Sequence, residues 1–303
     1  MPSEPPSRRI VCAEFPMTRR PRPLAFLFGT MLLLACKSSE QSTEPPQDPQ
    51  PTQCDDSGSP DCQGAIAEHF EPVAHTKGEV TPAAQAIVDA EDRTAEDRET
   101  DARRHPGELL TFMGVQPGWR IADLAAGGGY TTELLVRAVG PEGAVFAHNT
   151  AMVIEKYVSE AWPARLAREV NASVVRIDAE WSAPLPEAAS DLDMVSLIFS
   201  YHDIIAFKED IAPVNKAVFA ALKPGGFYVI ADHSAVPNSG TRDTEKLHRI
   251  DEASVIQQVE AAGFKLDASA DFLRTPDDLR DTEVWTIGFN TDRFVLRFVK
   301  PTD

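Results

Sequence analysis

The chain has 303 residues, 43% of them hydrophobic, which is enough for one sizeable core or two small ones. A formal charge of -18 repels phosphate backbones and anionic headgroups alike. Tight nucleic-acid binding is therefore not expected, and any membrane contact needs a specific anchor. Four cysteines are too few for a disulfide scaffold.

The first 36 residues read as an export signal. Thr18-Arg19-Arg20-Pro21-Arg22 supplies a basic stretch, and a start at Met17 places it directly before the apolar run 24–35. That run is well short of the ~20 residues a membrane-spanning helix needs. On these features alone the segment is a plain secretory signal. Its ending, Leu33-Leu34-Ala35-Cys36, also resembles a bacterial lipobox. The resemblance implies that Cys36 is acylated and becomes the mature N-terminus, so the membrane is reached through the lipid only. Lys37, rather than Asp, follows the cysteine and points to the outer membrane, facing the periplasm.

Residues 37–81 form the next unit, expected to be a disordered tether. Its 37–64 portion is rich in Pro, Ser, Gln, Asp and Glu and nearly free of large apolar side chains, so it cannot bury enough surface to offset chain entropy. Cys54 and Cys62 either remain free thiols or close a small loop; export favours the pair.

Residues 82–303 carry the folded domain. An Ala-rich stretch, 83–104, with charges at three- and four-residue offsets predicts a solvent-facing helix in which Arg93, Arg98, Arg103 and Arg104 are solvated. As a lid, the same arginines could cover an anionic substrate. His105-Pro106 ends that helix, and 108–113 is a second, short one stopped by Gly114. Strands are expected at 119–124, 143–148, 173–177, 192–199 and 227–231. Helices are expected at 130–139, 152–168 (disturbed at Pro163), 214–222 and 251–262. Asp251 would cap the last of these and Gly263 would stop it. Strands 264–273 and 293–299 close the chain without a helix between them. This order predicts an α/β, Rossmann-like, mostly parallel seven-stranded sheet with helices on both faces and an antiparallel closing strand pair.

The most informative stretch is Asp123-Leu124-Ala125-Ala126-Gly127-Gly128-Gly129-Tyr130, between the first strand and its crossover helix. Small residues there let a ligand approach the backbone N–H groups and the helix N-terminus. A dinucleotide fingerprint would need a glycine where Thr132 stands, so that reading fails. An acid followed by small-x-Gly-x-Gly resembles motif I of class I S-adenosylmethionine-dependent methyltransferases, with Ala125 at the place of the usual first glycine. Lys223-Pro224-Gly225-Gly226 and the closing strand pair are similar to the same superfamily. Tyr201-His202-Asp203, the run 242–251 and the run 291–298 resemble a group of exported proteins of that superfamily whose substrates are uncharacterised.

The resemblance implies S-adenosyl-L-methionine as cofactor, contacted by Asp123, Ala125, Gly127, Gly129 and Tyr130. It also implies adenine contacts from Asp178 and Ala179. The second strand ends in Asn149, where the superfamily usually places an acid for the ribose hydroxyls. His202 is the candidate general base, with Asp203 to orient it or to bind an acceptor amine and Tyr201 beside the cofactor. Alternatively, His202 is a hydrogen-bonded structural residue and Tyr201 an aromatic wall. His202, Asp203, His233 and His248 could in principle gather around a metal, but no short ligand spacing occurs and none is expected. The implied activity is methyl transfer to a small molecule or envelope component. The rival is a tethered binding module that kept the fold. The cofactor is cytoplasmic and charged, so an exported enzyme would need to acquire it before export or from a transporter.

Overall fold

The computed structural model describes residues 75–76 and 79–302. Met17, Cys36, Cys54 and Cys62 lie outside the described residues. Among those described, no helix is long and apolar enough to cross a membrane.

Among the described residues the sheet holds the seven expected strands and one more at its edge. In chain order they are β1 (His75–Thr76), β2 (Arg120–Leu124), β3 (Ala144–Asn149), β4 (Val174–Asp178), β5 (Leu192–Ile198), β6 (Leu222–His233), β7 (Lys265–Ala270) and β8 (Arg293–Val299). Their spatial order is β1-β7-β8-β6-β5-β2-β3-β4. β8 runs antiparallel to both β6 and β7, and the remaining pairs are parallel. The unexpected strand is β1, which pairs with Ser269–Ala270 at the sheet edge. The described structure therefore begins before residue 82. Val80 also packs against the core, and Thr81 caps the first helix by accepting from the Ala84 N–H at 3.2 Å.

Alternation along the strands divides the core between the two faces. Ile121, Met194, Val229 and Val295 point to one cluster, and Ala122, Val195, Ile230 and Leu296 to the other. The first cluster is closed by α1 (Pro82–Val88), α3 (Pro106–Met113) and α4 (Tyr130–Val139). The second is closed by α8 (Ile211–Ala221) and α10 (Glu252–Glu260). A sheet buried on both faces explains the continuous apolar runs of its central strands.

The expected helix 83–104 is two helices. α1 stops at Val88, and Thr94 starts α2 (Ala95–Arg104) by accepting from the Asp97 N–H at 3.0 Å. A side-chain cap inside a helical pattern outweighs the alanines around it. The stretch 152–168 likewise divides into α5 (Ala151–Tyr157) and α6 (Ala161–Leu166). Short helices α7 (Tyr201–Ala206), α9 (Thr244–Leu247) and α11 (Val284–Ile287) complete the set. They are too short for a periodic signal in the sequence. Asp251 precedes α10, but its carboxylate accepts from Ser254 Oγ at 3.1 Å instead of a backbone N–H.

The strand order reverses at β2, which has β3 on one side and β5 on the other. Ligands of open α/β sheets bind outside the C-terminal strand ends at such a point. Two loops leave it together: Ala125 to Gly129 after β2, and Phe199-Ser200 into α7 after β5.

Candidate functional site

The loop after β2 is a turn fixed from below. Asp123 is buried, and its carboxylate accepts from Thr132 Oγ1 at 2.6 Å and Ser196 Oγ at 2.8 Å. Burial raises its pKa to about 6, although both hydroxyls favour the charged form. Asp123 thus ties β2 to β5 and α4. Ala125 stands at φ 51° and Gly127 at φ 57°, both in the left-handed region.

The two glycines of the motif do different things. A Cβ on Gly129 would meet Arg165 Cγ at 2.7 Å and Trp162 at 2.9 Å, so Gly129 serves the packing of α6 and does not face a ligand. A Cβ on Gly127 would meet nothing closer than the Ala125 carbonyl at 4.0 Å. Gly127 is open wall.

The end of β3 clamps the turn. Asn149 is fully buried; its Oδ1 accepts from the Gly127 N–H at 2.9 Å and its Nδ2 donates to the Gly127 carbonyl at 3.1 Å. Both ends of the Asn149 amide are thus turned onto Gly127. The His148 carbonyl accepts from the Ala126 N–H at 2.8 Å. The His148 ring has Nε2 at 3.0 Å from the Ala179 carbonyl, so that nitrogen carries the proton and Nδ1 accepts from the Ala125 N–H at 3.5 Å. Burial pushes the imidazole down to about 4, which keeps it neutral. Asp178 is exposed, pairs with Arg176 at 2.7 Å and lines neither cavity beside the turn. Trp181 takes that side instead, packed on His148 with ring centroids 4.8 Å apart.

Of the arginines expected to face solvent, Arg98 and Arg103 are exposed, but Arg93 and Arg104 are built into the site. Arg93 is buried and holds Asp101 in a two-pronged pair at 2.6 and 2.7 Å. Tyr130 donates to the same carboxylate at 2.6 Å. Arg165 donates to Asp97 (2.7 Å), to Glu133 (2.7 Å) and, through Nε, to the Gly128 carbonyl (3.2 Å). Arg168 also pairs with Glu133. This network joins α2, α4 and α6 around the glycine turn, and no local spacing announces it.

Two adjoining cavities open at the turn and share Ala125, Gly127 and Ser200. The smaller, about 160 Å³, is polar and walled by Arg104, Tyr130 and the turn. The Arg104 guanidinium lies over the Tyr130 and Phe199 rings at 5.3 and 5.1 Å. Burial lowers its pKa, and among the described residues no carboxylate forms an ion pair with it. The larger cavity, about 360 Å³, is mainly apolar; Trp181, Phe207 and Trp285 line it, with Asp203 and His248 among its polar groups.

The expected catalytic trio separates. Tyr201 is fully buried in the core, where its hydroxyl bonds Asn215 at 2.9 Å and Gln258 at 3.1 Å. It therefore cannot stand beside a cofactor. His202 is nearly buried, with Nδ1 at 2.6 Å from Asp232 Oδ1 and Nε2 at 3.1 Å from Asp203 Oδ1. Burial alone would lower its pKa, but the neighbouring Asp232 and Asp203 raise it to about 10. A histidine so held is a poor base at neutral pH. Asp203 and His248 face the cavity, 3.0 Å apart. His233 turns away and stacks on Phe199.

No protein-family model matches the sequence, and no curated protein is significantly similar to it. Solved structures do share the fold. The S-adenosylmethionine-dependent methyltransferase of Aquifex aeolicus is 16% identical, with a TM-score of 0.48 over 68% of this chain and 97% of that one. The cyclase SpnF is 16% identical, with a TM-score of 0.50 over 69% and 82%. The glycopeptide N-methyltransferase MtfA, solved with sinefungin, is 15% identical, with a TM-score of 0.44 over 73% and 98%. At these identities the likeness is one of fold, and the chain has a Rossmann-like α/β fold. Because one of the three is a cyclase, the reaction has to be argued from the site.

Proposed function

We propose that the chain binds S-adenosyl-L-methionine at the glycine turn and transfers its methyl group to a small-molecule or envelope acceptor. The carrying observation is the open wall at Gly127, placed at the sheet's switch point where the polar and apolar cavities meet. The methionyl carboxylate would enter the polar cavity, where Arg104 offers a guanidinium that has no ion-pair partner among the described residues. The nucleoside would occupy the apolar cavity along Trp181. The acceptor would stand against Asp203 and His248. Methyl transfer is an in-line displacement, so alignment and exclusion of water are the main demands on such a pocket.

Binding calorimetry tests this reading. S-adenosylhomocysteine should bind the full chain, and Arg104→Ala should weaken it about tenfold or more, the worth of a charged hydrogen bond. Methylthioadenosine, which lacks the carboxylate, should bind parent and variant equally. If neither compound binds the parent, the proposal fails. A binding module for another ligand, the reading that the absence of an acid at the end of β3 favours, would then stand. The proposal includes location: an exported lipoprotein held through Cys36 at the outer membrane, with 37–64 as tether.

A further inference from the structure

We propose that His202, Asp203 and His248 form a binding site for one divalent first-row transition-metal ion. Their potential ligand atoms form a closed triangle: His202 Nε2 to Asp203 Oδ1 is 3.1 Å, His202 Nε2 to His248 Nδ1 is 3.3 Å, and His248 Nδ1 to Asp203 Oδ1 is 3.0 Å. Nitrogen and oxygen ligands held ~2.0–2.1 Å from one cation stand roughly 3.0–3.4 Å from each other, so the triangle has the size of one face of a coordination shell. Among the described residues, these three form the group whose ligand atoms converge in this way.

The surroundings of His202 fit the same use. Asp232 is fully buried, and its carboxylate accepts from the His202 backbone N–H at 2.8 Å, from the His233 N–H at 2.8 Å and from His202 Nδ1 at 2.6 Å. With Nδ1 donating to Asp232, Nε2 is the nitrogen that faces the triangle. A carboxylate behind a ligating histidine is the usual means of fixing its tautomer and strengthening it as a ligand. His248 is aimed from the other side by a left-handed backbone, φ 52°, at the end of α9, and its ring packs on Trp285 with centroids 4.5 Å apart.

Donor type and exposure narrow the kind of site. Two imidazoles and one carboxylate suit zinc, manganese, iron(II), cobalt or nickel rather than calcium or magnesium. The His202 side chain is 4% exposed, whereas Asp203 and His248 are 28% and 25% exposed and line the 360 Å³ cavity. Three protein ligands with open positions toward a cavity is the layout of a catalytic metal site, not a structural one. The metal site stands on its own geometry. Its use, holding an oxygen of the acceptor, rests on the methyl-transfer reading.

Cobalt(II) titration of the untagged full chain, stripped with chelator and dialysed, is the test. One ion per chain should bind, with a visible absorption band, and zinc should displace it. His248→Ala should weaken cobalt binding at least a hundredfold, and Asp232→Asn by 10–100-fold, as loss of an outer carboxylate does. Circular dichroism and thermal midpoints verify that both variants fold, and Asp203→Asn provides a third, half-exposed substitution should one fail. Absence of bound cobalt in the parent, or equal affinity in parent and His248→Ala, overturns the proposal and leaves a hydrogen-bonded cluster. Calorimetry with S-adenosylhomocysteine on the metal-free chain reads the cofactor reading separately.

Discussion

Arg165→Ala is expected to destabilise the fold by about 3 kcal/mol at neutral pH, the cost of leaving buried charges unpaired. Arg165 is 14% exposed, and it faces Asp97 and Glu133, whose side chains are 5% and 1% exposed. Removing it takes the main partner from one carboxylate and one of several from the other, and it frees the Gly128 carbonyl. Burial works against both carboxylates, but the arginines outweigh it and hold both pKa values below the usual carboxylate range. Their contribution to stability is therefore full above the unfolded-state values, near 4, and is lost as pH falls through the lower folded-state values. The parent should accordingly lose stability more steeply than Arg165→Ala below pH 4. Arg165→Lys should fall between them, because an ammonium keeps the charge but not the fork. Urea unfolding at pH 7 and at pH 3 checks all three. A neutral-pH cost below about 1 kcal/mol would show that the network is a solvated surface feature.

Gly127→Leu should abolish S-adenosylhomocysteine binding, a loss of at least about a hundredfold, by filling the junction that both cavities share. Two effects act there and can be separated. At φ 57° any side chain costs roughly 1–2 kcal/mol of strain. Gly127→Ala carries that strain with a single methyl group, whereas Leu also occupies the space. Calorimetry should therefore show graded losses, modest for Ala and complete for Leu, while thermal midpoints fall by similar amounts in both. Equal binding in parent and Gly127→Leu would mean that the ligand lies elsewhere.

Much of the fold was legible because burial on both faces leaves uninterrupted apolar strands. The run 192–199 and the Lys223-Pro224-Gly225-Gly226 turn marked β5 and β6 with little ambiguity. β6 is longer than expected, since its pairing begins at Leu222 and passes through that turn. Glycine spacing correctly located the loop at the switch point, but it could not divide the roles of Gly127 and Gly129; only the approach of Trp162 and Arg165 does that. Nor could it show that Asn149 is turned onto Gly127 rather than toward a ligand.

The errors share a cause. Charged positions on α2 match a solvated helix by period, but α2 lies against α4 and α6, and two of its acids, Asp97 and Asp101, are paired with Arg165 and Arg93, whereas Arg98 and Arg103 are exposed. Tyr201 leaves a strand end beside the site, yet the first turn of α7 directs it into the core. His202 and His248 are 46 residues apart in sequence, so no ligand-spacing rule could pair them. Chain order carries local periodicity well. It carries poorly any contact between two loops that meet only because the sheet order reverses.

The central claim is that the cavity bounded by Gly127 and Trp181 takes an adenosyl sulfonium. A crystal structure of the full chain with S-adenosylhomocysteine tests it most directly. The base should lie along Trp181, the sulfur beside Gly127 and the carboxylate within hydrogen-bonding distance of Arg104. A saturated crystal with that cavity empty, or with the nucleoside bound away from the glycine turn, would contradict it.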